Sequence, residues 1–143
     1  MRVLFDTNII LDVLLNRKDF IELSANLVGA VENRDIDGYL CATTITTLDY
    51  LISKAKSRKQ AKIEIQKLLT IFRISDVNST VLELSLNSKF GDFEDAVQYY
   101  SGECCEVDGL VTRNTKDYKN TNLPIYTPDE LWSIVTIGLH GKV

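Results

Sequence analysis

Short, unbroken apolar runs alternate along this chain with longer stretches whose apolar residues recur at helical spacing. "VLFDTNII" reads as a short buried strand running into a turn. "DFIELSANLVGAVENRD" places Phe20, Leu23, Leu27, Val28 and Val31 on one helical face and ends in the polar turn "NRDIDG". "GYLCATT" is a second strand, and helices are expected over about Ile45–Lys56 and Lys59–Leu69. "FRISDVN" reads as a third strand, after which Asn78 or Ser79 caps the helix "TVLELSLNS". "DFEDAVQYYSGEC" is a helix with acids in its first turn, where the helix dipole favours them. "DGLVTRN" is a fourth strand leading into a loop, with Asp108 as a turn residue, and "LPIYTP" is a short fifth. In "TPDELWSIV", Thr127 caps a last helix, Pro128 takes its first position and Glu130 completes a capping box.

Strands alternating with helices indicate one α/β domain, with a central, mainly parallel five-stranded sheet and helices on both faces. The domain is expected over residues 1–137, with 138–143 as a frayed C-terminal tail. In such sheets ligands gather at the carboxyl ends of the strands, where strand order reverses. Asp6 interrupts the first apolar run at that edge. An isolated buried carboxylate is costly, so it is neutralised, paired or given to a cation.

Composition narrows the possibilities. The 143 residues are 45% apolar and 25% charged, as in an ordinary globular domain. No run approaches the ~20 apolar residues of a membrane span, and no export leader is evident. Cys41, Cys104 and Cys105 are odd in number and two are adjacent, which fits a reducing compartment, so the expected location is cytoplasmic with no membrane association. Cys41 reads as core at a strand end, the other two as core and helix end.

The net charge of −4 is unevenly placed. Seven basic residues (Lys54, Lys56, Arg58, Lys59, Lys62, Lys67 and Arg73) face one acid, Glu64, between positions 53 and 73. The segment is either a solvated helix face or a landing strip for a phosphate backbone.

Three polar clusters could meet at the strand edge: Asp6-Thr7-Asn8 after strand one, Asp92 with Asp95 on one helix face, and Asn114 with Asp117 after strand four. Converging carboxylates repel unless a cation lies among them, and oxygen donors with water suit Mg²⁺ or Mn²⁺. Taken singly, Asp92 could be a helix cap, Asp95 a dipole complement and Asp117 a loop acid. Asp12, on the helix after strand one, reads as solvent-facing or a local cap. His140, the one histidine, sits in the tail, so histidine-based catalysis has little support.

These segments, in this order and at these separations, resemble the PIN-domain family of metal-dependent nucleases, especially the single-domain VapC-type toxins. The resemblance covers almost the whole chain. It implies a sheet of about five parallel strands, an acidic pocket at its C-terminal edge, Mg²⁺ or Mn²⁺, and hydrolysis of RNA. It also implies a homodimer and an antitoxin protein that blocks the site. Asp6 matches the family's first metal-binding acid, Asp95 the acid of the central helix, and Asp92 an additional acid one turn earlier. Asn114 stands where many members have an acid and others Asn, and Asp117 falls at an Asp-Phe-like position, here Asp-Tyr. Thr7 and Asn8 match groups that orient the first acid, and Thr112 the small hydroxyl residue before the loop. Lys54, Lys56, Arg58, Lys59 and Arg113 are the basic residues expected to meet RNA.

Many members carry a glutamate in the third-region helix, where this chain reads "TTITTLDYLISK". Thr47 aligns with it and Asp49 comes two residues later, a turn of roughly 200° around the helix. With Thr47 there, the pocket lacks one carboxylate unless a register shift brings Asp49 in. The rival reading is a catalytically weak PIN domain that binds RNA or protein. A receiver-type signalling domain would need adjacent acids after strand one, and an aspartyl phosphatase would need D-x-D where this chain has "DTN".

Overall fold

In the computed structural model, which describes residues 1–140 and side chains up to residue 138, five short strands form one parallel sheet in the order β3-β2-β1-β4-β5. They are β1 (Arg2–Phe5), β2 (Asp37–Cys41), β3 (Arg73–Ser75), β4 (Gly109–Val111) and β5 (Ile125–Tyr126). The helices are α1 (Thr7–Leu14), α2 (Ile21–Glu32), α3 (Ala42–Ala55), α4 (Arg58–Ile71), α5 (Ser79–Leu86), α6 (Phe93–Cys104) and α7 (Pro128–His140). The parallel sheet and its sandwiching helices match the sequence expectation.

Side chains alternate across a strand, and β1 divides the core accordingly. Val3 and Phe5 join Leu27, Leu48, Ile52, Leu131 and others in one apolar cluster with α1, α2, α3 and α7. Leu4 faces the opposite way and packs with Val81, Val97, Tyr99 and Leu110, against α5 and α6. Cys41 is buried at the end of β2, as anticipated, whereas Cys104 is exposed and Cys105 half-buried.

Local signals set most boundaries. Asn78 Oδ1 accepts from Val81 N at 3.0 Å and starts α5. Thr127 and Glu130 exchange backbone–side-chain bonds at 3.0 and 3.1 Å and start α7. That helix continues through His140, so residues 138–140 belong to it; the rest of the expected tail and the His140 side chain lie outside the described residues. Helix α3 begins at Ala42, directly after β2, so Thr43 and Thr44 are helical although their branched side chains favour strands. Burial explains this: Thr44 is fully enclosed, with polar partners described below.

Gly38 in β2 has no room for a side chain: a Cβ there would lie 2.7 Å from the Phe72 ring and from Val31 Cγ2. That ring already packs edge-on against Phe5, at 5.3 Å between centroids. Gly38→Ala is expected to destabilise the fold by about 1–3 kcal/mol, to be read from denaturant unfolding.

Candidate active site

Strand order reverses between β1 and β4, the point at which parallel sheets open a crevice at their carboxyl ends. Asp6 follows β1 there and Thr112 follows β4. Asp6 N donates to Val111 O at 3.0 Å, extending the ladder by one bond before the chain turns into α1. The Asp6 side chain does not cap that helix. It is buried and accepts from Thr112 Oγ1 at 2.7 Å and from Gln98 Nε2 at 3.1 Å.

Gln98, on α6, organises the floor of the site. Its amide nitrogen also donates to the Tyr118 hydroxyl at 2.8 Å. Its carbonyl oxygen accepts from Thr44 Oγ1 at 3.1 Å and Thr7 Oγ1 at 3.4 Å, and those two hydroxyls bond each other at 2.8 Å. Thr7 therefore acts on Asp6 through Gln98, and the groups that orient Asp6 directly are Gln98 and Thr112. Asn8 lines the adjoining cavity.

Asp95 stands one turn before Gln98 on α6. Burial pushes its carboxyl up to about 6 from 3.8, reinforced by the charges of Asp92, Asp6 and Asp117. The Tyr118 hydroxyl, 3.5 Å away, offsets part of this. Burial and the charges of Asp6 and Asp95 raise Tyr118 well above the usual tyrosine range, so it stays protonated and remains a donor.

Cavities open on both sides of Asp95. The smaller, about 180 Å³, is bounded by Asp6, Asn8, Thr44, Thr47, Glu94 and Gln98 among others. The larger, about 650 Å³, is bounded by Asp92, Asp117, Lys89, Lys116, Lys119 and the aromatics Phe90 and Tyr100 among others. Asp92 caps α6, accepting from Asp95 N at 2.9 Å, and lines the larger cavity, whereas Asp6 lines the smaller. Asp117 is exposed on the larger cavity's rim, in the 3-10 turn Thr115–Asp117. Asn114 precedes that turn, and its backbone N–H donates to Thr112 Oγ1 at 3.0 Å.

Thr47, not Asp49, faces the pocket; Asp49 is exposed and lines neither cavity, so its expected supporting role is corrected by the helix register. Thr47 Oγ1 donates to Glu94 Oε1 at 3.0 Å, which holds a carboxylate from α6 at the spot where α3 offers none.

Two further expectations change. Asp12 is not solvent-facing but fully buried, and Arg113 grips both its oxygens at 2.7 and 3.1 Å. Arg17 adds a longer bond at 3.4 Å, and the Phe20 ring lies 3.9 Å from the Arg113 guanidinium carbon. Arg113 is thus a structural cation rather than a free RNA contact. Lys54, Lys56, Arg58 and Lys59 are exposed at the α3–α4 turn, with Lys54 over the Tyr50 ring. Along α3, Lys54 lies about 15 Å beyond Thr44 at 1.5 Å per residue.

Sequence reading missed Gln98, Tyr118, Thr44, Glu94 and the lysines of the larger cavity. Gln98 carried a signal, since it sits three residues after Asp95, a spacing that shares a helical face. Among the described residues no three Asp, Glu, His or Cys side chains form a ready-made metal cage. The donors present are nevertheless oxygens with space for water, around carboxylates that crowd one another. That set fits a hard cation held by one or two carboxylates with water completing its shell.

Comparisons with known proteins agree with this fold. A PIN domain family model matches residues 2–116. The chain is 24% identical over 136 residues to "Ribonuclease VapC1" of Aquifex aeolicus (strain VF5), covering 90% of this chain and 92% of that one. Its fold is similar to the structure of VapBC2 from Rickettsia felis bound to a promoter DNA fragment, with TM-score 0.66, 19% identity and coverage of 89% and 98%. It is equally similar to a toxin–antitoxin complex from Klebsiella pneumoniae, with TM-score 0.67, 21% identity and coverage of 88% and 97%. The chain belongs to the PIN domain family.

Proposed function

We propose that this protein is a divalent-metal-dependent endoribonuclease, the toxin of a toxin–antitoxin pair. One observation carries the reading: Asp6 and Asp95 come from distant parts of the chain to the sheet's switch point, where burial, reinforced by the charges of Asp92, Asp6 and Asp117, lifts the Asp95 carboxyl to about 6. A bound cation would offset the repulsion among these carboxylates. Family membership supports the reading, as do the relative named as a ribonuclease and the neighbours solved as toxin–antitoxin complexes.

Asp6 and Asp95 would hold Mg²⁺ or Mn²⁺, with Glu94 reaching in from the Thr47 side and Asp92 and Asp117 from the other. Asn114, expected among the ligands, lines neither cavity, and its contact is the backbone N–H that holds the Thr112 hydroxyl bonded to Asp6. The ion would lower the pKa of a bound water and stabilise charge on the phosphodiester. Thr112 and Gln98 fix the Asp6 oxygens, and Tyr118 donates toward Asp95. An antitoxin protein is the expected partner, and the family resemblance leads us to expect a homodimer. No helix among the described residues is long and apolar enough to cross a membrane, and a reducing, cytoplasmic setting suits the free cysteines.

Thr112→Val keeps the shape but leaves Asp6 Oδ2 and Asn114 N without this partner. It is expected to destabilise the fold by about 1–3 kcal/mol and to lower cleavage by about 10-fold or more, measured on protein kept well below its unfolding transition. The reading itself is tested by incubating the purified protein with a mixed panel of structured RNAs in Mg²⁺, Mn²⁺ or EDTA. Cleavage in metal and none in EDTA is expected. Intact RNA throughout, from folded protein that still binds it, would favour a binding module.

A further inference from the structure

Resting on the ribonuclease reading, we propose that the larger cavity beside Asp95 is where a single-stranded RNA substrate lies, and that the basic α3–α4 turn is not its track. The 650 Å³ cavity adjoins the acids, whereas the α3–α4 turn touches neither cavity. Its edge carries Lys89, Lys116 and Lys119, all exposed and without an ion-pair partner among the described residues. That is unexpected beside Asp92 and Asp117, which line the same cavity. Three ammonium groups left unpaired next to carboxylates suit a third party that carries negative charge.

The chain as a whole is acidic, at −4, and the Asp6–Asp95 region would repel a polyanion. A phosphate backbone therefore needs cations flanking the acids at close range, and these lysines are the ones in place. Phe90 and Tyr100 also line the cavity, their ring centroids 6.0 Å apart, with Asn87, Ser88 and Asn120 adding polar edges. Aromatic faces beside a basic edge are how single strands are held: phosphates on the lysines, bases stacked on the rings. A duplex keeps its bases stacked on one another, which is why the substrate class inferred is a single strand or an opened loop.

The test uses the full chain carrying Asp95→Asn, so that bound RNA is not consumed, and a fluorescent mixed-sequence single-stranded RNA, titrated at several salt concentrations. Adding Lys89→Ala, Lys116→Ala and Lys119→Ala together is expected to weaken binding about 30–100-fold at 0.1 M salt and to lower the log–log salt slope by about 2. Tyr100→Leu is expected to weaken it about 10-fold with the slope unchanged. Alanine at Lys54, Lys56, Arg58 and Lys59 together is expected to change affinity less than threefold. Thermal melting of each variant guards against misfolding. Tight binding that survives the triple lysine change and is lost in the α3–α4 variant would overturn the inference while leaving the ribonuclease reading intact. A parent that binds no RNA at low salt would overturn both.

Discussion

Asp95→Asn is expected to make the metal-free protein more stable at neutral pH and to reduce RNA cleavage by about 100-fold or more. The two effects have one cause. The Asp95 carboxyl titrates at about 6 in the folded chain against 3.8 ordinarily, because burial and the charges of Asp92, Asp6 and Asp117 oppose its ionisation. Between those two values the folded state holds more protons than the unfolded state, so stability falls as pH rises from about 4 to about 6 and then levels off. An asparagine cannot ionise, which removes both the slope and the penalty above it. Solvent screening of this half-exposed group keeps the gain below what the full shift would suggest. A metal-binding carboxylate is a larger loss to activity than the 10–100-fold typical of groups that merely orient a ligand. Urea unfolding at pH 4.5, 6 and 7.5 without metal, beside cleavage rates with Mn²⁺, measures both. A variant that is less stable at pH 7.5 would mean that Asp95 serves the fold.

Arg113→Ala is expected to be among the most damaging single changes in the chain, at about 3–5 kcal/mol. It strands Asp12, which is fully buried, with only the 3.4 Å contact from Arg17. The Phe20 ring would also lose its stacked guanidinium. For a chain of this size the melting temperature should drop by roughly 10 °C. Replacing both partners with apolar residues, as Asp12→Leu with Arg113→Met, should recover most of the loss, because no buried charge is left without a partner and the guanidinium of Arg17 reaches water. A single change costing under about 1 kcal/mol would show that solvent reaches Asp12. Arg113 directly follows Thr112, so this pair also anchors the loop from which Thr112 reaches Asp6.

The difference between Asp6 and Asp12 explains how much could be read from sequence. Asp6 breaks an apolar run whose length and flanks mark a parallel strand, so its position at the sheet edge followed from local pattern. Asp12 sits one helix later with equally apolar neighbours, but its partner lies 101 residues away, and no local signal joins them. Gln98 belongs to the same class: its four polar partners come from α1, α3 and the segments after β1 and β4. The caps at Asn78 and Thr127 were legible because capping bonds span three residues. The early start of α3 was not, because two strand-favouring threonines are held helical by packing. Helical geometry placed Asp49 about 200° from Thr47. Only the fold could reveal that Glu94 crosses from α6 to meet that threonine.

Whether the carboxylates of the switch point hold a divalent cation is tested most directly by titrating Mn²⁺ into the metal-free protein, following free Mn²⁺ by electron paramagnetic resonance at pH 5.5 and 7.5. Saturable binding is expected, tighter at pH 7.5 because the Asp95 carboxyl must lose its proton, and lost in both Asp6→Asn and Asp95→Asn. Undiminished binding in those two variants, or no binding by the folded parent at millimolar Mn²⁺, would contradict it.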